Sequence, residues 1–333
     1  MAVLIFTEVV SMLNVIPVID LAPALNGSAE DRRAVAEEID RTCREIGFFT
    51  IRGHGVDPAL IDGLRAMSYD FFNQPLDQKQ VMAPPDSQTP RGYRALGLES
   101  LSAGNSQETP PDLKEYYHFG REQWPEESYY TSAEGQRYFF PNVWPDQPAG
   151  WADVAQRYYL ELERLTEEMM SLCAIALGLD ETFFADKIDR HITAMRINHY
   201  PEQQVSPLNG QLRAGAHTDY GMLTILNGEN KAGGLQVLTR SGSWIDVETD
   251  PDTFVVNIGD LLMRWTNDRW VSNTHRVVNP PSGETQEARL SIAFFHHPNY
   301  DALIECVSPE GEAKYPPVLS GVYRDLKYRQ TRV

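Results

Sequence analysis

Cysteine is scarce in this chain: three in 333 residues, Cys43, Cys173 and Cys306, far apart and odd in number. No CxxC pair or disulfide framework can be drawn from them, which excludes a disulfide-stapled scaffold and fits a reducing, cytoplasmic compartment. Their apolar neighbours ("RTCREIGFF", "MSLCAIALG", "LIECVS") read as core positions. Basic residues are also in deficit, 29 Lys and Arg against 47 Asp and Glu, a net charge of −18. A field of that sign repels nucleic-acid phosphates and anionic membrane surfaces, so neither is an expected partner. Long apolar runs are missing, and nothing approaches the roughly 20 residues that a membrane span needs. The apolar start "MAVLIFTEVVSMLNVIPVIDL" has no basic n-region, carries Glu8 inside the run and offers no clear cleavage site. Residues 1–12 read as a disordered extension, with Met12 as an alternative start. Internal repeats and low-complexity tracts are absent, which sets repeat architectures aside.

What remains is an ordinary globular composition, 42% hydrophobic, on a chain long enough to bury a substantial core. "VIPVIDL" (15–21) reads as a strand. Residues 28–46 read as a helix capped by Ser28, with Val35, Ile39 and Cys43 on one face, ended by Gly47. "FFTI" (48–51) is a strand, and 57–73 a second helix behind Asp57 and Pro58, stopped by Pro75. Residues 82–112 read as loop and "DLKEYYHFG" as a strand. The segment 121–148 is irregular, and 150–177 is the longest helix. After residue 190 short apolar segments alternate with turn signals: "ITAMRINHYP", "GMLTILNG", "GLQVLTRSG", "WIDVET", "TFVVNIGD", "LLMRWTN", "THRVVNPPSG", "RLSIAFFHHP". That spacing predicts an antiparallel barrel of the jelly-roll type. The expected organisation is an N-terminal helical region (13–189), a jelly-roll core (190–300) and a C-terminal segment and helix (301–333) lying across a pocket mouth, all one cooperative unit.

His217 and Asp219 in "AGAHTDYGML" are two apart, so on a strand both side chains face one way. Imidazole plus carboxylate suits Fe(II), Mn(II) or Zn(II), but alone such a pair is usually a surface feature. His275 in "NTHRVVNP" lies several strands on, enough chain to return beside the first pair. Two histidines and one carboxylate on one face leave coordination positions open, as in non-haem Fe(II) oxygenases, whereas structural zinc closes its shell with four protein ligands. Ala214, Gly215 and Ala216 read as room for the strand to approach the metal. Arg289 and Ser291 in "ARLSIAFF" again share a face. An inward arginine in an apolar strand needs an anion: a salt bridge to an acidic side chain, or a bound carboxylate held by the guanidinium fork and the hydroxyl.

The sequence resembles the isopenicillin N synthase-like Fe(II) oxygenases, most of which use 2-oxoglutarate. "VIPVIDL", "CREIGFFTIRGHGV", "RGYRALGLESL", "PDLKEYYHFGRE", "RINHYP", "AHTDYGMLTIL", "VVNIGDLLMRWTNDRWVSNTHRVVNP" and "RLSIAFFHHPN" follow the family's order over most of the chain. The resemblance implies a distorted jelly-roll, the double-stranded β-helix of cupin-like proteins, mainly β with flanking helices and an N-terminal α/β region. It implies iron held by His217, Asp219 and His275, and the distal carboxylate of 2-oxoglutarate held by Arg289 and Ser291. Asn198 and Tyr200 match cosubstrate contacts, although a tyrosine there can equally fill the core. Phe295 and Arg196 match positions that often meet substrate, Tyr117 is a further candidate, and Arg91 and Tyr93 lie on a loop resembling one that covers the pocket. The aromatics of 116–144 suggest an apolar pocket wall. His191, His199, His296 and His297 match no ligand role. The implied activity is oxidation of an unactivated C–H of a small molecule (hydroxylation, desaturation or cyclisation) in secondary metabolism. It consumes O2 and 2-oxoglutarate, with ascorbate as an optional reductant, in a monomer or weak homodimer. Two alternatives stay open: a 2-oxoglutarate-independent Fe(II) oxidase of the same fold, and a non-catalytic jelly-roll binding protein.

Overall fold

Ser28 starts the first long helix, Ala29–Glu45, through a complete capping box: its hydroxyl accepts from the Asp31 amide, and the Asp31 carboxylate accepts from the Ser28 amide. Val35, Ile39 and Cys43 are buried on one face, and Gly47, at φ 66°, turns the chain out of the helix. The second helix, Pro58–Phe72, begins at Asp57, whose carboxylate accepts from the Ala59 amide. Both pack on the long helix Trp151–Ala176. The computed structural model describes residues 15–86, 89–102, 110–281, 286–307 and 312–331. The extension expected at 1–12 lies outside these. No helix among the described residues is long and apolar enough to cross a membrane.

The strands are β1 (Val18–Asp20), β2 (Phe48–Arg52), β3 (Gly92–Arg94), β4 (Glu115–Gly120), β5 (Ala194–Tyr200), β6 (Ala214–His217), β7 (Leu223–Gly228), β8 (Leu235–Leu238), β9 (Trp244–Asp246), β10 (Phe254–Ile258), β11 (His275–Val277) and β12 (Arg289–His296), followed by the short pair β13 (Leu303–Ile304) and β14 (Val318–Leu319). The large sheet runs β1-β2-β10-β7-β12-β5-β4-β3 and the small one β6-β11-β8-β9. Facing each other, they form the distorted jelly-roll. Period-two alternation divides the large sheet's residues. Phe254, Val256, Ile292 and Phe294 turn to the helices. Val255, Phe48 and Tyr200 turn inward to meet Ala214, Val237 and Val277 of the small sheet. Strands from residues 18–120 are integral to the large sheet, which therefore spans both of the regions expected on either side of residue 190.

Three local readings change. "LLMRWTN" is not a strand: Asp260–Trp265 is a helix, because Leu261, Leu262 and Trp265 bury at helical spacing behind Gly259. Pro75 stops one helix and starts another, Leu76–Gln80. The 82–112 loop contains β3, whose three residues pair with β4.

Candidate active site

His217 ends β6 and His275 begins β11, and the two are direct cross-strand partners. Asp219 lies two residues beyond the end of β6, so strand alternation is not what aims it. Its loop is pinned instead by the Asp260 amide, which donates to the Asp219 carbonyl at 2.7 Å. The result is convergence: each histidine Nε2 is 3.9 Å from Asp219 Oδ1, and ligand atoms of all three residues lie within 4.8 Å of one another. His217 Nδ1 faces the Gly215 carbonyl at 2.8 Å, and His275 Nδ1 the Asn273 carbonyl at 3.2 Å. A carbonyl only accepts, so both Nδ1 atoms carry a proton, and Nε2 is the nitrogen each ring turns to the cluster. Asp219 Oδ2 accepts from Thr224 Oγ1 (2.6 Å) and Asn257 Nδ2 (2.7 Å), leaving Oδ1 to the cluster. Burial, then the neighbouring His275, pushes the His217 pKa down to about 3, and Asp219 is held below the usual carboxylate range despite its burial. A neutral His217 imidazole beside an ionised carboxylate is the protonation state a divalent cation needs, and two nitrogens with one oxygen are donors suited to iron. The donor set fits Fe(II).

Next to this cluster lie the inward residues of β12 and β5. Arg289 pairs in register with Tyr200, and Ser291 with Asn198. Ser291 Oγ is 3.4 Å from Asn198 Nδ2 and 3.5 Å from the Tyr200 hydroxyl. Arg289 is buried, and its Nε donates to the Glu229 carbonyl at 3.2 Å. Burial lowers its pKa, and no carboxylate of a described residue is within ion-pair distance. These four residues and the histidine–aspartate cluster line one cavity of about 450 Å³.

At its other end the cavity is charged. Arg196 donates to both oxygens of Glu99 (3.2 and 3.1 Å), and Lys114 bridges Glu99 (2.9 Å) to Asp112 (3.2 Å). Burial alone would raise the Glu99 pKa, but Arg196 and Lys114 hold it down to about 2. The Arg196 guanidinium lies over the Tyr116 ring at 4.1 Å and faces Phe295 at 5.8 Å. Arg91, Arg196 and Phe295 line the cavity; Tyr93 and Tyr117 do not. Register gives the reason. Tyr116 pairs with Asn198 and His118 with Arg196, so even-numbered residues of β4 look inward, and Arg94 and Gly92, opposite them, do likewise. Tyr117 and Tyr93 turn to the helical core, where both pack on Phe71, and their hydroxyls bond to the Val143 carbonyl and to Glu115. Most aromatics of 116–144 follow them: Phe119 and Trp144 join the main core, and Tyr130, Tyr138 and Phe139 form a separate cluster with Tyr300. Of the four histidines without an expected ligand role, His297 lines the cavity, whereas His191, His199 and His296 bond to Glu163, Glu115 and Thr193. Sequence reasoning missed Glu99, Lys114 and Tyr116. A charged residue two before Tyr116 in "LKEYYHF" was the available signal. Gly215 also changes meaning: a Cβ there would overlap Ser102 Oγ, so its smallness admits Ser102 rather than the metal. Tyr328, on the C-terminal helix Ser320–Thr331, reaches the cavity wall.

A two-sheet jelly-roll with two histidines and a carboxylate beside a buried arginine defines a class, the Fe(II) oxygenases. The family model for the 2OG-Fe(II) oxygenase superfamily matches residues 192–298, and that for the N-terminal region of non-haem dioxygenases in morphine synthesis matches 16–147. The chain is 33% identical over 313 residues to the 2-oxoglutarate-Fe(II) type oxidoreductase hxnY of Emericella nidulans, covering 91% of this chain and 86% of that one. It superposes on Neurospora crassa T7H in complex with alpha-KG with a TM-score of 0.81, 33% identity and 95% coverage of both chains. JOX2 in complex with 2OG, Fe and JA gives a TM-score of 0.75 at 28% identity, covering 95% of this chain and 85% of that one. The protein belongs to the 2-oxoglutarate- and Fe(II)-dependent oxygenase superfamily. It is a dioxygenase whose cofactor is Fe(II) and whose cosubstrates are 2-oxoglutarate and O2.

Proposed function

We propose that His217, Asp219 and His275 hold the Fe(II), and that Arg289, Ser291 and Tyr200 bind the distal carboxylate of 2-oxoglutarate, with Asn198 orienting Ser291. The observation that carries this is the convergence of two histidine Nε2 atoms and one carboxylate oxygen beside a buried arginine with no carboxylate of a described residue within ion-pair distance. Bound there, iron supplies O2 activation coupled to decarboxylation of 2-oxoglutarate to succinate and CO2, and oxidation of a substrate C–H. The chain's own residues do the rest. Backbone carbonyls hold both imidazole tautomers, Thr224 and Asn257 aim the Asp219 carboxylate, and Arg289 fixes the cosubstrate's far end. Tyr116, Arg196, Phe295 and Arg91 form the wall against which a small molecule lies. The product is hydroxylated, desaturated or cyclised, in secondary metabolism, in a cytoplasmic monomer or weak homodimer that unfolds as one unit. The C-terminal helix, through Tyr328, closes the mouth.

The test is anaerobic titration of Fe(II) and 2-oxoglutarate into the protein, His217→Ala and Arg289→Gln. Iron binding should be lost in the first variant and 2-oxoglutarate binding weakened at least tenfold in the second. Unchanged iron affinity in His217→Ala refutes the ligand assignment.

A further inference from the structure

Five cationic side chains line the cavity (Arg91, Arg94, Lys114, Arg196 and Arg289) against two carboxylates, Glu99 and Asp219, in a chain whose net charge is −18. The excess is local and can be traced residue by residue. Arg196 and Lys114 are answered by Glu99 and Asp112. Arg289 is answered by 2-oxoglutarate, and Asp219 belongs to the iron. Arg94 donates to the Thr89 carbonyl and is only half-buried. Arg91 is left over.

Arg91 is 5% exposed, and no carboxylate of a described residue lies within ion-pair distance of it. Its Nη1 donates to the Pro90 carbonyl at 3.0 Å and faces His118 Nδ1 at 3.3 Å. Burial keeps that histidine neutral, so it offers no charge. Arg91 Nε has no hydrogen-bond partner among the described residues. The guanidinium packs directly on Gly120, where a Cβ would overlap Arg91 Nη2. Burial, with a second guanidinium nearby, Arg324 of the C-terminal helix, lowers the Arg91 pKa to about 10, and Arg324 is itself paired with Asp325 at 3.8 Å. Arg324 lies over the Tyr328 ring at 4.6 Å, and Tyr328 lines the same cavity. Arg91, buried with its fork beside the cavity and with no carboxylate of a described residue within ion-pair distance, is costly unless an anion joins it.

We infer that Arg91 is the seat for a carboxylate of the substrate, so that the substrates are small organic acids oxidised at a carbon between this arginine and the iron. The inference rests on the Fe(II)/2-oxoglutarate reading of the other half of the cavity. A planar fork beside a low-dielectric wall favours a carboxylate over its neutral amide, which cannot form the charge-assisted pair. The aromatic rings of Tyr116, Phe295 and Tyr328 in the same wall favour an acid carrying an apolar body.

The experiment compares pairs of probes, phenylacetate with phenylacetamide and 3-phenylpropanoate with its primary amide. Binding is followed calorimetrically to the full-length protein loaded with Mn(II) and 2-oxoglutarate. The acids should bind at least tenfold tighter than the amides, without competing with 2-oxoglutarate. Arg91→Gln should erase the preference, and Arg91→Lys, which keeps the charge but not the fork, should retain only part of it. Amides binding as well as acids, acid binding that competes with 2-oxoglutarate, or an acid preference intact in Arg91→Gln would each overturn the inference. Should Arg91→Gln fail to fold, the full preference surviving in Arg91→Lys would overturn the fork, and its partial loss would support it. The initial 2-oxoglutarate titration stands apart. If the wild-type protein does not bind it, the cosubstrate reading fails, while the acid–amide comparison repeated on the protein without it still decides the role of Arg91.

Discussion

Lys327 lies 2.7 Å from the buried carboxylate of Asp260, and the backbone amide of that same Asp260 holds the carbonyl of Asp219. Asp260 also accepts from Thr218 Oγ1 at 3.2 Å and Ser272 Oγ at 2.7 Å. One carboxylate thus ties the C-terminal helix to the loop that carries the His217–Asp219 pair, and it sets Tyr328 in the cavity wall and Arg324 near Arg91. Lys327→Met removes the ion pair and keeps the aliphatic stem. The partly exposed pair is worth about 1 kcal/mol, so proteolysis at the C-terminal helix should speed up about fivefold. An unchanged cleavage rate would mean that the helix is held by its apolar contacts alone.

Asp219 presents Oδ1 because Oδ2 is occupied. Asn257→Ala and Thr224→Val each remove one of the two donors to Oδ2. Partners of this kind, one bond away from the metal, typically contribute 10–100-fold in affinity. Fe(II) affinity should fall about tenfold or more in each variant, read by competition with a chelator, while unfolding midpoints change little for Thr224→Val. A fall in stability with no change in iron affinity would assign both residues to packing.

Glu99 carries the acid sensitivity of the cavity. Its pKa is held at about 2 against an ordinary 4.5, so its ionised form stabilises the fold. That contribution is complete above about pH 4.5 and disappears as pH falls toward 2. Glu99→Gln leaves Lys114 with Asp112 and takes from Arg196 its carboxylate, and should cost about 3–5 kcal/mol at pH 7. The difference from wild type should shrink between pH 4.5 and 2, measured by urea unfolding across that range. A pH-independent difference would mean that the loss is one of packing rather than charge.

Much of this arrangement was legible in the sequence, for identifiable reasons. The capping box at Ser28 and the Asp57 cap are local, and local chemistry decided both helices. Arg289 and Ser291 could be read because alternate positions on a strand share a face, whereas Asp219, picked out by the same rule, is in fact aimed by the loop after β6. Parity between strands could not be read. Nothing local says whether Tyr116 or Tyr117 looks inward, since that depends on the pairing of β4 with β5 across 80 residues of chain. "LLMRWTN" misled for a related reason. A short buried apolar run carries no period of its own, and the helix is set by what packs around Leu261, Leu262 and Trp265. The Glu99–Lys114–Arg196 network was hidden because its members come from three separate segments.

Gly228 offers the sharpest test of how Arg289 is held. It sits on β7 opposite Ser291, and a Cβ there would lie 2.9 Å from Thr249 Cγ2 and 3.1 Å from Arg289 Nη2. Both distances are tighter than packed side chains tolerate, and small overpacked changes of this kind cost roughly 1–3 kcal/mol. The methyl of Gly228→Ala must displace either the threonine or the guanidinium. If the guanidinium moves, KM for 2-oxoglutarate should rise about tenfold while Fe(II) affinity stays as in wild type, because none of the proposed iron ligands is among the atoms a Cβ on Gly228 would meet. The double variant Gly228→Ala/Thr249→Ser separates the two routes, since removing Cγ2 opens space on the threonine side. Restored KM in the double variant would show that Thr249 had driven the methyl against Arg289. A KM that stays high would place the conflict on the guanidinium itself. A KM at the wild-type value in the single variant would show that Arg289 keeps its position without the glycine.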